Sequence, residues 1–179
     1  ATPAGRGPAG RPTPPPHAGV PVVLMHMQGE PGSMQADPQY DDVVAEVHRF
    51  LVQRLFAAEM AGIAKKNLVV DLGFGFGKRV DHNMTLLARS ERFLELGVRL
   101  LAGLSRRRRL GELTARQLPA ERVAASVAAH LGAVQRGARI VRVHDVAATV
   151  DALKVWAAVE AVPSPRKDAA PAIRWPDEG

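Results

Sequence analysis

Four short apolar runs, each broken off by polar or glycine-rich residues and each followed by a helix-patterned stretch, constrain the fold more than any other feature of the chain. They are PVVLMHMQG (21–29), NLVVDLGFGFGK (67–78), VRLLAGLSR (98–106) and ARIVRVHD (138–145). This strand-then-helix rhythm predicts a parallel α/β protein. In such a fold the side chains at successive strand ends converge on one face, which is where chemistry is displayed.

The spacing predicts strands over Val22–Met27, Leu68–Asp71, Arg99–Ala102 and Arg139–Val143. The first helix is expected to start at Asp37–Pro38, to carry Tyr40, Val43, Val44, Val47, Phe50, Leu51 and Leu55 on one stripe, and to stop at Gly62. Asp81 is the expected N-cap of a helix over His82–Leu94. A short helical piece is expected at Leu110–Leu113, then Pro119 at the first position of a helix over Ala120–Gln135 that ends at Gly137. Asp145 reads as the cap of a last helix ending near Ala161, with Val150, Leu153, Val155 and Trp156 as its apolar surface. Four βα units of about 35 residues imply right-handed crossovers and a parallel sheet. A complete TIM barrel needs about 200 to 400 residues, so four units amount to half of one.

Composition narrows the class. Of 179 residues, 46% are hydrophobic and 23% charged, as expected of one domain with a sizeable core. With no cysteine, disulfide frameworks and thiolate zinc sites are excluded, and the expectation is a cytoplasmic protein. No apolar run approaches the roughly 20 residues of a membrane helix, and residues 1–19 lack the apolar core of a secretory signal. That segment is rich in Ala, Gly, Pro and Arg and reads as disordered, the structured domain as 20–162, and residues 163–179 as a flexible tail. The net charge of +6 favours anionic partners, either phosphorylated metabolites or nucleic acid.

Three strand ends carry candidate chemistry. In DLGFGFGK (71–78) a carboxylate closes an apolar strand and alternate glycines allow a ligand close to the backbone; the competing reading is a solvent-facing turn. The P-loop pattern fails at Leu72 and Arg79, and the dinucleotide fingerprint fails because Lys78 stands where its third glycine belongs. Asp71 offers two coplanar acceptors to the N–H groups of a flat heterocycle, and Phe76 can stack beside it. In SRRRR (105–109), Arg106 and Arg107 stand at the strand end as phosphate forks, against the alternative of a solvated basic face. In RVHD (142–145), Arg142 and His144 lie two apart, so in extended chain both point the same way and both can donate to an oxyanion. His26, between Met25 and Met27, reads as pocket wall or core, and the six histidines show no zinc spacing.

Taken in order and spacing, LMHMQGEPGSMQ, DLGFGFGKRVDHN, GLSRRRRLGEL, ERVAASVAAHLGAVQRGA and IVRVHDV resemble the C-terminal half of bacterial dihydropteroate synthase, over about residues 20–160. The resemblance implies a (β/α)8 TIM-barrel fold of which four units are present. It implies a transferase of folate biosynthesis that joins 7,8-dihydropterin pyrophosphate to 4-aminobenzoate, releases pyrophosphate and is the sulfonamide target. It places Met25, Asp71, Phe76, Gly103, Ser105, Arg107, Arg142, Val143 and His144 against the substrates: Asp71 reads the pterin ring, Met25 lines its pocket, and Phe76 lies near the aminobenzoate. Arg107 takes the catalytic position of the family's lysine, Gly103 and Ser105 form the loop beside it, and Arg142 with His144 holds the pyrophosphate. It further implies Mg2+, whose usual ligand has no counterpart in this chain, a homodimer, and no nucleic-acid or membrane partner. Leu72 replaces the family's proline, Arg107 its lysine, Arg108 its second serine and Met84 its tyrosine. Half a barrel leaves two bare sheet edges, so the chain is expected to have little turnover alone; the alternatives are a non-catalytic pterin- or pyrophosphate-binding remnant and a basic nucleic-acid-binding module.

Overall fold

The computed structural model of the chain describes residues 19–29 and 38–163. The segments expected to be loose, 1–19 and 163–179, lie outside the described residues apart from Gly19 and Pro163.

Four parallel strands, β1 (Val22–Met25), β2 (Leu68–Asp71), β3 (Arg99–Ala102) and β4 (Ile140–Val141), form one sheet in sequence order. Helices α1 (Val43–Met60), α2 (Val80–Ala88), α3 (Arg108–Thr114), α4 (Val123–Gln135) and α5 (Val146–Glu160) complete the chain. Strands in sequence order, all parallel and each followed by a helix, are consecutive βα units of barrel type rather than a doubly wound sheet, whose order reverses.

The side-chain period of two assigns the faces. Leu68, Val70 and Leu72, with Leu100, Ala102 and Leu104, pack into one core with Val47, Leu51, Leu55, Leu86 and Phe93. Each such leucine or phenylalanine contributes about 1.5–3 kcal/mol when fully buried. Met25, Asp71 and Gly103 have the opposite parity and share the other face; the register sets Met25 beside Asp71 and Asp71 beside Leu101. The face turned away from the helices therefore carries the candidate chemistry.

Several element boundaries differ from expectation for local reasons. The first helix begins at Val43, because the Asp42 carboxylate accepts from the Val44 and Ala45 N–H groups and caps it there. Tyr40 lies ahead of the helix, and its hydroxyl donates to the Gly77 carbonyl at 2.8 Å. Asp81 is not a cap: α2 starts at Val80, the imidazole of His82 accepts from the Arg79 N–H at 3.3 Å, and Asp81 pairs with the Arg79 side chain in the first turn. The helix ends at Ala88, and a 3-10 stretch over Ser90–Leu96 replaces its expected last turns. Helix α3 begins two residues early, and Pro119 opens a 3-10 turn, Pro119–Arg122, ahead of α4.

β1 leaves the ladder after His26, whose N–H still donates to the Asp71 carbonyl. β4 is shorter than expected at both ends; among the described residues it pairs only with β3, and beyond it the Ser105 hydroxyl accepts from the His144 N–H, turning the chain toward the β3 end. On α5 only Thr149 is buried: Val150 and Val155 are exposed, and Leu153 and Trp156 are half-buried, so the expected apolar surface is largely uncovered.

Candidate functional site

The glycine loop after β2 is shaped by close approach to the end of β1. A Cβ on Gly73 would sit 1.7 Å from the His26 carbonyl oxygen and one on Gly77 2.4 Å from that of Gln28, and both residues have positive φ, 68° and 58°. The Gly75 N–H donates to Asn83 Oδ1 at 2.8 Å, which ties the loop to α2. Folded back in this way, the loop leaves Asp71 buried at the strand end, with its carboxylate accepting from the Gly73 N–H at 2.8 Å. Burial raises the pKa of Asp71, opposed by the Gly73 N–H and by the cationic Arg142, Arg107 and Lys78.

The arginine run after β3 separates residue by residue. Arg106 adopts φ 53°, an uncommon left-handed conformation for a side-chain-bearing residue, and this sends Arg106 and Arg107 in different directions. Arg106 forms a two-pronged pair with Asp145, Nε to Oδ2 at 3.0 Å, and so is engaged as structure rather than offered to a ligand. Asp145 stands at the α5 N-cap position with no side-chain capping bond, because its carboxylate is used in this way. Arg108 and Arg109 both pair with Glu112.

Arg107 does turn into the site. Its guanidinium carbon lies 4.5 Å from the centroid of the Phe76 ring, and its Nε donates to the Gly103 carbonyl at 3.1 Å. Desolvation, then the neighbouring Arg142, depresses its pKa, while Asp71 opposes the shift. Arg142 places Nη2 3.7 Å from Asp71 Oδ2. A Cβ on Gly103 would meet that guanidinium at 2.8 Å, so the absence of a side chain at the β3 end makes room for the β4 arginine. His144 Nδ1 lies 2.9 Å from the Ser105 hydroxyl.

Phe76, Gly103, Ser105, Arg107, Arg142, Val143 and His144 thus line one open cavity of about 660 Å³ at the strand ends, joined by Arg106, Arg108 and Pro119. Of the expected set, Asp71 lies behind the Arg142 guanidinium and Met25 beside Asp71 in the sheet; neither lines the cavity wall. Two guanidiniums repelling each other on a concave surface, with an imidazole and a hydroxyl nearby, form a site for a multiply charged anion; the buried carboxylate behind them suits N–H donors. Among the described residues no group of three or more His, Cys, Asp or Glu could hold a metal ion. The donors here are cationic, so they do not fit Mg2+.

Sequence reasoning passed over two buried groups that build this site. Lys78 is fully buried and bonded to His26; only its position directly after a glycine-rich run hints at this. Arg122, Ser126 and His130 form a buried seam at four-residue spacing along α4 and its entry turn. Arg122 donates to the Arg106 carbonyl, Ser126 Oγ accepts from the Arg106 N–H, and His130 Nε2 accepts from the Leu104 N–H at 3.2 Å. The i, i+4, i+8 pattern is visible in sequence but is the same as that of a polar surface stripe.

Consecutive parallel βα units, with a basic cavity and a buried carboxylate at the strand C-termini, define a protein of TIM-barrel type. The model of the family described as "Pterin binding enzyme" matches residues 16–144, and the chain belongs to that family. It is 49% identical over 137 residues to the dihydropteroate synthase of Escherichia coli K12, covering 76% of this chain and 48% of that protein. Among solved structures, the Stenotrophomonas maltophilia dihydropteroate synthase with active-site-bound imidazole is 84% identical with a TM-score of 0.81, covering 83% of this chain and 56% of that one. The Xanthomonas albilineans dihydropteroate synthase in complex with 7,8-dihydropteroate is 67% identical with a TM-score of 0.75, covering 80% and 52%. The chain spans about half the length of the curated relatives it matches. No helix among the described residues is long and apolar enough to cross a membrane.

Proposed function

We propose that this chain carries the pyrophosphate side and one pterin contact of a dihydropteroate synthase site, which condenses 7,8-dihydropterin pyrophosphate with 4-aminobenzoate to give dihydropteroate and pyrophosphate. The observation that carries the reading is the stack at the strand ends: buried Asp71, Arg142 in front of it, and Arg107 over Phe76. Asp71 accepts the pterin N–H pair and orients the ring. As the carbon–oxygen bond to pyrophosphate breaks, its electron pair leaves with the oxygen, and Arg142, His144 and the Ser105 hydroxyl hold the growing anionic charge. The aminobenzoate nitrogen then bonds to the exposed carbon and loses a proton. Arg107, packed on Phe76, keeps positive charge beside that carbon and leaves an apolar ring face for the incoming aromatic.

Mg2+ remains only what the resemblance implies; no described residue takes the role of its ligand, and no step is assigned to it. A homodimer is part of this reading as the resemblance implies; α5 leaves Val146 and Val150 exposed on one side and Val155 and Val159 on the other. A second reading is a binding module without turnover, favoured by Asp71 standing behind Arg142 and outside the cavity wall. Calorimetry with pyrophosphate and 6-hydroxymethylpterin, using an Asp71→Ala control, together with a coupled assay for dihydropteroate, separates the two. Heat with turnover supports the synthase, heat alone the binding module, and neither refutes both.

A further inference from the structure

Lys78 is the largest fully buried side chain of the protein's described residues, and nothing in the reaction above uses it. Its Nζ lies 2.9 Å from His26 Nδ1, 3.0 Å from the Gly73 carbonyl oxygen and 3.1 Å from that of Phe76. An ammonium has three donors and no acceptor, and here three acceptors surround it. Two of them are the carbonyls that open and close the turn carrying Phe76; the third belongs to the end of β1. We propose that Lys78 is the positioning residue of the pterin-side carboxylate: its buried ammonium clamps the glycine loop to the end of β1 and thereby sets where Asp71 and Phe76 stand. The proposal rests on the reading of Asp71 as the pterin contact only for its functional consequence; the clamp itself stands on geometry.

The surroundings agree with this arrangement. For His26 Nδ1 to accept from an ammonium, the ring must be neutral with its proton on Nε2. Burial and the charge of Lys78 indeed hold the His26 pKa down at about 3, and Phe50 and Tyr40 pack against the ring at 4.9 and 6.1 Å. The groups facing Lys78 from the packed elements are His26 after β1, Asp71 at the end of β2, Tyr40 ahead of α1 through the Gly77 carbonyl, and His82 on α2. Burial lowers the lysine to about 7, and Asp71 opposes that shift. On losing a proton the amine keeps two donors for the two carbonyls and gains a lone pair, which the Nδ1–H tautomer of His26 can fill. Above a pH of about 7 the contact therefore persists between a neutral amine and a neutral imidazole whose proton has moved from Nε2 to Nδ1; the ammonium clamp belongs to the pH range below it.

The test uses the full chain labelled with ¹⁵N and ¹³C. At pH 6 the His26 ring is expected as the neutral Nε2–H tautomer; an Nδ1–H or doubly protonated ring at that pH overturns the clamp. In Lys78→Met, amide exchange at Phe76 should accelerate at least tenfold relative to Val70, and the Asp71 carboxyl should titrate at higher pH than in the wild type. The carboxyl shift is the readout that loose packing alone would not give. Unchanged Phe76 exchange and an unmoved Asp71 overturn the proposal, and if Lys78→Met does not fold, the wild-type tautomer decides. A chain that passes these tests yet takes up no 6-hydroxymethylpterin counts against the proposed function and not against the clamp.

Discussion

Arg106 and Asp145 meet across the ends of β3 and β4, the guanidinium Nε donating to Oδ2 at 3.0 Å while the Arg106 backbone is held at φ 53°. The strained loop is secured from both sides, since Ser126 on α4 also grips its N–H and Arg122, in the turn ahead of α4, its carbonyl. Arg106 is thereby held at the cavity rim in an ion pair, while Arg107 packs on Phe76.

Asp145→Ala should leave the sheet intact but free this loop. The expected result is a pyrophosphate Kd raised about three- to tenfold, because a loosened loop must be ordered again on binding. Titration calorimetry of the variant and parent checks this, and an unchanged Kd would mean that the pair does not order the loop.

Replacing Arg107 separates charge from shape. Arg107→Lys keeps the charge but loses the planar contact with Phe76 and the Nε bond to Gly103, so stability should fall by about 1 kcal/mol while the pyrophosphate Kd changes less than about threefold. Arg107→Met should weaken pyrophosphate at least tenfold. Urea unfolding and calorimetry on both variants read the two effects independently.

Gly73→Ala introduces a Cβ where the His26 carbonyl oxygen stands, at a residue with φ 68°. The loop must pull away from β1, at a cost of more than ~2 kcal/mol from strain and lost contacts, with loss of pterin binding. Equal stability in urea would show that the loop relaxes freely.

His130 is buried, its Nδ1 2.7 Å from the Ser126 carbonyl oxygen and its Nε2 accepting from the Leu104 N–H. His130→Ala leaves that amide buried without a partner and should cost about 1–3 kcal/mol. Denaturant midpoints, compared with those of an exposed-site control such as Leu113→Ala, provide the measurement.

The pH dependence of stability should show Lys78. Its folded pKa of about 7 lies below the ordinary 10.5, so between those values the unfolded chain binds more protons than the folded one. Stability from this group therefore rises with pH across that window, by about 1.4 kcal/mol per unit at most, and the rise should be missing in Lys78→Met. His26, lowered from 6.5 to about 3, acts with the same sign at acid pH: stability is lost as pH falls through that range. Urea midpoints at pH 7, 8.5 and 10 for parent and variant give the test for the lysine.

The sequence by itself determined the four parallel strands, their order of use and the residues at their ends, because periodicity, glycine spacing and the agreement of several motifs in register are local properties of the chain. Asp71, Phe76, Arg107, Arg142 and His144 were legible in that way. Only the tertiary structure decided which of them share a cavity and which stand behind it. It turned Arg106 to Asp145, removed Asp81 and Asp145 from capping, and buried Lys78 against His26, 52 residues away. An arginine or lysine side chain has the same formal charge in solvent, in an ion pair or in a buried clamp. Its role is set by the acceptors that distant segments bring within about 3 Å, and no local pattern records them.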